Sequence, residues 1–340
     1  MPDGPTALLL LTVAVALGFD FTNGFHDTAN AVATTIGTRA LPPRVAIGFS
    51  AVLNLVGAVV ATQLLQSKVA DTIGGLIAVK AGIALPFIIA GLAGAIVWNL
   101  VTWRAGLPSS SSHALIGGLV GMGIAAYGTE SVKVDKLYPT LVALVTSPIA
   151  GLVLAYLAMV VMSNLLRNVH PSPANRVFRR LQILSSAFVS FSHGANDSQK
   201  TMAVITLALV STHHLARFAV PLWVVLAAAG AISLGTYAGG WRIIRTMGSR
   251  IIRLEPINGF TAETVGAAVI QAATQMGLPV STTHVVAGAV MGSGAPRGLS
   301  AVRWGIARRI VVAWLFTIPA AAVMAGLISL IIKALFGTLH

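Results

Sequence analysis

The 340-residue chain has no cysteine, which excludes disulfide staples and thiolate chemistry, catalytic or metal-binding. Charge is nearly as scarce. Only 9% of the residues are Asp, Glu, Lys or Arg, against roughly 25% in a soluble domain, while 56% are hydrophobic. That balance excludes an ordinary water-soluble fold and puts the chain in a bilayer. Acids are the rarest charged group, nine against twenty-two Lys and Arg, for a formal net charge of +13. A basic chain can grip nucleic acid, but these cations lie between apolar runs rather than on one soluble face, where they set membrane orientation instead. A cationic leader is missing too, because residues 1–6 hold only Asp3 as a charged side chain. The first apolar stretch is therefore expected to stay as a membrane helix.

What is present is long apolar sequence and one polar theme stated twice. Residues 45–65, 84–101, 141–162, 218–239 and 310–335 each approach or exceed the roughly 18 to 20 apolar residues that cross hydrocarbon. Their period-two alternation is weak, which argues for helices over a barrel. NGFHDTAN at 23–30 returns as HGANDSQK at 193–200, and LPSSSSH at 107–113 returns as LPVSTTH at 278–284. Asp27 and Asp197 are 170 residues apart and His113 and His284 are 171 apart, the mark of a membrane transporter built from internal repeats. A polar stretch with Arg167, Pro171, Pro173, Arg176, Arg179 and Arg180 divides them. Residues 1–165 read as the first repeat, 166–182 as a linker and 183–340 as the second.

Charge bias orients the repeats. The linker, Arg39, Arg44, Arg242, Arg245, Arg250, Arg253, Arg297, Arg303, Arg308 and Arg309 read as cytoplasmic, and Lys68, Lys80, Lys133, Lys136, Arg217 and Lys333 as external. Fourteen cations against six put both termini outside and invert the second repeat relative to the first. Each Ser/Thr tip then turns a re-entrant hairpin, although Gly106, Pro108, Gly277 and Pro279 also suit a kinked helix. The expected fold is an all-α integral membrane protein: two inverted-topology repeats with broken helices and re-entrant helical hairpins, about 10–12 membrane segments.

Five acids fall in or beside apolar sequence: Asp20, Asp27, Asp197, Glu255 and Glu263. An ionised carboxylate at the bilayer centre costs about 2.5–3.5 kcal/mol even on lenient scales, so such groups face a cavity or a partner. Glu255, between Arg253 and Pro256, reads as interfacial. Asp27 has Asn23, Thr28 and Asn30 around it, and Asp197 has Asn196, Ser198 and Gln199. Clustered carboxylate and amide oxygens, with carbonyls from unwound backbone, suit a hard cation such as sodium at Asp27, Asn30, Asn196 and Asp197; a polar zipper between helices is the plainer reading. Asp20, matched by Ser190 in the second half, reads as an accessory cation ligand or a packing acid. Ser110, Ser111 and Ser112, and Ser281, Thr282 and Thr283, each precede a Gly-rich apolar stretch. Hydroxyls plus the free amides of a helix N-terminus make an anion site, or simply an N-cap. His113 and His284 read as packing groups that lock the tips, rather than as proton relays or metal ligands. Lys200 stands where the first half has Asn30, a cation free to pair with Asp197, with Glu263 or with a bound anion.

At these residues the chain resembles the PiT family of inorganic phosphate transporters. GAND at 194–197, GFHDTAN at 24–30 and the paired PSSSSH and PVSTTH tips carry the likeness, which runs through both halves. The resemblance implies phosphate held between the tips, essential aspartates at Asp27 and Asp197, a homodimer, and elevator-like or rocking exchange between outward and inward states. It also implies cation coupling. Leu92 and Asn54 stand where some relatives carry acids, so a eukaryote-like sodium stoichiometry does not transfer. Sodium or a proton remain as coupling ions, Glu263 near Lys200 suiting the proton, and bacterial relatives include carriers of a metal-phosphate complex.

The function expected is secondary active import of inorganic phosphate by cation symport across the plasma membrane, with no cofactor. Asn23, Asp27, Asn30, Asn196, Asp197, Lys200 and Glu263 form the cation and coupling region, and the two tips bind the anion. A sulfate permease of the same fold is the main rival. A passive channel fits poorly with sunken carboxylates that repel a lone anion, and an intramembrane hydrolase lacks the G-x-S-x-G elbow.

Overall fold

A computed structural model describes residues 4–78 and 82–337, so the external assignment of Lys80 lies outside the described residues. The described residues form two sets of six α-helices. The first comprises α1 (Gly4–Gly37), α2 (Pro43–Leu65), α3 (Lys68–Gly74), α4 (Leu85–Arg104), α5 (Ser111–Tyr127) and α6 (Val134–Leu165). The second comprises α7 (Pro171–Ser211), α8 (Leu222–Ala238), α9 (Trp241–Ser249), α10 (Pro256–Gln275), α11 (Thr282–Gly294) and α12 (Trp304–Phe336). α4 and α10 begin 171 residues apart, as do α5 and α11, so the spacing of the motifs is also the spacing of the helices.

Local chemistry sets these limits. Proline stands in the first turn of α2, α4, α7 and α10, where its missing N–H costs nothing. For the same reason residues 171–182, read from sequence as linker, are the opening turns of α7: Pro171 starts the helix and the His170 side chain accepts from the Ser172 amide. α5 and α8 stop at Gly128 and Gly239, whose positive φ of 86° and 76° suits glycine.

Among the described residues five helices, α1, α2, α4, α6 and α12, are long and apolar enough to cross a membrane, and α8 with α9, bent by 70°, makes a sixth candidate. The molecule is a multi-pass membrane protein. The other helices escape a hydropathy test for physical reasons: α7 carries a polar stripe through its 41 residues, and α5 and α11 are short, at 17 and 13 residues. α1 and α7 run unbroken through the Asp27 and Asp197 motifs, which corrects the expectation of unwound backbone there. Thr28 and Ser198 donate back to the carbonyls of Gly24 and Gly194, at 2.7 and 2.6 Å, so their hydroxyls are satisfied within the continuous helices. The breaks fall instead at the two tips, between α4 and α5 and between α10 and α11.

Each broken pair is a hairpin whose two ends meet. The Ala84 amide donates to the Tyr127 hydroxyl at 2.8 Å, and Asn258 Nδ2 donates to the Ser293 carbonyl at 2.7 Å. The first turn rests on α9, through Thr246 Oγ1 to the Gly106 carbonyl at 2.9 Å; the second rests on α3, through Thr72 Oγ1 to the Gly277 carbonyl at 2.7 Å. The two halves interlock: α1 packs on α8, α7 on α2, α5 on α12 and α11 on α6. Backbone approach makes the first two crossings. A Cβ on Gly24 would lie 2.1 Å from the Ile232 carbonyl oxygen, and one on Gly194 would lie 2.1 Å from that of Asn54.

Candidate substrate and cation site

Asp20, Asn23, Asp27, Asn30 and Thr34 follow one another along α1 at alternating steps of three and four, and so share one helix face. All five are buried. α7 answers with His193, Asp197 and Lys200 at steps of four and three, also buried. Burial of so many polar groups is tolerable only if they meet partners, and the tips supply them.

The contacts come in matched pairs. Ser111 Oγ lies 2.9 Å from Asp27 Oδ2 and 2.6 Å from Asn23 Oδ1, and Thr282, 171 residues later, donates to Asp197 Oδ2 at 3.3 Å. Those contacts stay within a half. The second pair crosses over. Asn30 Nδ2 donates to Thr283 Oγ1 at 2.9 Å and reaches Thr282 Oγ1 at 3.3 Å, while Lys200 Nζ donates to Ser112 Oγ. Lys200 also meets Asp197 Oδ1 at 2.6 Å and the Val280 carbonyl at 3.2 Å, so its three ammonium protons have three acceptors. Of the partners open to Lys200 in the sequence, Asp197 is the one it takes, and Glu263 is not.

Ser110 and Ser281 do something different. Each caps its helix, accepting from the amide of His113 at 3.1 Å or His284 at 3.2 Å. The capped histidines pack at the centre, their rings 4.4 Å apart, and His284 stacks on Trp314 at 3.9 Å. His26 Nδ1 donates to Asp27 Oδ1 at 2.7 Å, with Nε2 turned to Thr102 and Ser109, each at 3.2 Å. Asn196 turns its amide away from the aspartates, to Thr274 at 2.9 Å and the Leu278 carbonyl at 3.3 Å.

Asp27, His193 and Asp197 bring one ligand atom each within 4.8 Å of one another, a set able to hold a metal ion. His193 has a signal in the sequence, four residues before Asp197, but its approach to Asp27 depends on how α1 and α7 cross. Glu263 sits apart on α10. Thr34 and Thr35 donate to its Oε1 at 2.5 and 2.8 Å, Gln182 donates to the same oxygen at 3.0 Å, and Ser185 donates to Oε2 at 2.5 Å. Sequence reasoning missed those four partners, although Thr34 continues the polar stripe of α1.

An all-helical membrane protein whose two halves cross hydroxyl tips over paired carboxylates is built as a transporter, not as an enzyme. The chain belongs to the Phosphate transporter family, whose sequence profile matches residues 23–325. It is 49% identical over 322 residues to a protein of Rhizobium meliloti (strain 1021) described as a probable low-affinity inorganic phosphate transporter, covering 94% of this chain and 95% of that one. A Bacillus subtilis (strain 168) protein of the same description is 41% identical over 333 residues, covering 97% and 99%. The fold is also that of a solved structure described as "The sodium-dependent phosphate transporter", with a TM-score of 0.87 and 25% identity over 97% of this chain and 100% of that one.

Proposed function

We propose that the protein imports inorganic phosphate across the plasma membrane by symport with a cation. The observation that carries the reading is the crossed pairing of Asn30 with Thr283 and Lys200 with Ser112, which makes one locus from both halves. Two helix N-termini, with their free amides and positive dipole ends, are directed there, a setting that favours an oxyanion. Ser111, Ser112, Thr282 and Thr283 supply the donors and Lys200 the charge, with Ser110 and Ser281 fixing the helix ends. Asp27 and Asp197 would repel a bare anion. They suit phosphate, which carries protons near neutral pH and can donate to them, better than sulfate, which does not.

Moving an anion inward against an inside-negative potential costs about 2.3 kcal/mol per charge per 100 mV, which accompanying cations offset. Sodium is favoured because the solved relative is described as sodium-dependent, with Asp27 and Asp197 here as ligands, joined by His193. The same set would hold the metal of a metal-phosphate complex. In this reading residues 1–165 and 183–340 are inverted repeats, the joining segment is cytoplasmic, the termini are external, and the carrier is a homodimer. Labelled phosphate uptake into proteoliposomes, under an imposed sodium or proton gradient and with sulfate as competitor, tests it. Concentrative uptake with one gradient, indifferent to sulfate, is expected. Uptake without any gradient dependence contradicts symport, and sulfate transport contradicts the substrate.

A further inference from the structure

Helix α6 packs on α11 and α12 on α5, so these two long helices flank the tips. Between them runs a groove of about 660 Å³, walled by Leu144, Val145 and Ile149 on α6 and by Val311 and Leu315 on α12. Buried His113 and His284 form its floor, and apart from them and Arg308 its lining is apolar or aromatic. Trp304, Arg308, Val311 and Leu315 follow one another at steps of four, three and four, and so share one face of α12. From Trp304 to Leu315 the helix rises about 16 Å, roughly half of a hydrocarbon core about 30 Å thick. Arg308 and its neighbour Arg309 are exposed near the head of that face, and neither has a hydrogen bond or ion pair among the described residues. Half-exposed Trp304 lies at the same end, an amphipathic ring of the kind that settles at headgroup level.

We propose that this groove holds an acyl chain of an anionic phospholipid whose headgroup phosphate lies on Arg308 and Arg309. Depth favours a lipid, because the groove stops near the midplane as the chains of one leaflet do, whereas a helix of a second copy would run on along α12. Charge favours it too. A second copy in a two-fold contact would bring the same arginines to a rim that is already positive, while basic pockets between membrane helices take anionic headgroups. The occupant would also touch the machinery from behind. His113 and His284 are the residues whose amides Ser110 and Ser281 cap, so a chain packed on their rings braces both tips. Neither the groove nor its rim depends on which anion is carried.

Native mass spectrometry of the full chain purified in detergent tests it, with phosphatidylglycerol or phosphatidylcholine added and the lipids retained per chain counted. Wild type is expected to hold phosphatidylglycerol about tenfold or more tighter than phosphatidylcholine. Arg308→Ala, which leaves the groove open, is expected to lose about fivefold of that preference. Val311→Trp fills the groove from an exposed position and is expected to retain one phosphatidylglycerol fewer per chain. Equal retention of the two lipids by wild type overturns the site. So does an unchanged count in Val311→Trp, the result that headgroups adhering to a basic rim alone would give. A cross-link between chains through Val311→Cys, in a protein with no other cysteine, would put a second copy on that face and overturn it as well.

Discussion

Lys200 lies 2.6 Å from Asp197, one turn back along α7, at the position that Asn30 holds on α1. The exchange of a neutral amide for an ammonium breaks an otherwise matched arrangement, and it puts the one buried cation of the locus on the second half. Breaking a buried pair leaves an uncompensated charge, so Lys200→Met is expected to cost about 3–5 kcal/mol in thermal unfolding. The double variant Lys200→Met, Asp197→Asn should recover part of that loss, read as a double-mutant cycle.

Gly24 and Gly194 carry the crossings of α1 with α8 and of α7 with α2. An added Cβ would lie 2.1 Å from a carbonyl oxygen in both cases. Gly24→Ala and Gly194→Ala are each expected to lower stability by about 1–3 kcal/mol, seen as an earlier unfolding midpoint in detergent. Gly18, whose Cβ would meet nothing within 4 Å, is the control and should tolerate alanine.

Ser110 and Ser281 cap, whereas Ser111, Ser112, Thr282 and Thr283 face the locus. Ser110→Ala or Ser281→Ala should cost about 1 kcal/mol of stability and change phosphate affinity less than the same substitution at Ser112 or Thr283. Binding and unfolding measured on the same preparations check the split.

Glu263 ties α10 to α1 and α7 through Thr34, Thr35, Gln182 and Ser185. Glu263→Gln replaces one acceptor oxygen with a donor facing other donors, and is expected to cost about 1–3 kcal/mol. Glu263→Asp keeps the carboxyl but shortens the reach, so it should retain more stability than Glu263→Ala in the same unfolding assay.

The chain has no cysteine, so single cysteines report topology without background. Arg39→Cys and Lys133→Cys are expected to react with a membrane-impermeant maleimide from opposite sides of the bilayer, Lys133→Cys from outside. Labelling of both from one side would contradict the charge-derived orientation.

The doubling, the tips and the aspartates were legible because each is a local string at a fixed spacing. The division of labour within a tip was not. Ser110 and Ser111 look alike in sequence, and only the helix start at Ser111 makes the first a cap and the second a donor to the locus. Hydropathy passes over α7 because its polar residues lower the average, although most of residues 185–209 are buried. The polar stripe of α1 was a readable signal: steps of three and four from Asp20 to Thr34 mark one face and point to both Asp20 and the Glu263 cluster. The meeting of His193 with Asp27 and of Gln182 with Glu263 depends on helix crossings, for which one sequence holds no local sign.

Equilibrium phosphate binding to the purified full chain tests the central claim most directly, with wild type compared with Ser112→Ala and Thr283→Ala. One phosphate per chain, weakened by roughly tenfold or more by a substitution in either tip, is the result predicted for a single locus built from both halves. Two phosphates per chain, or binding that is indifferent to one of the tips, would contradict it.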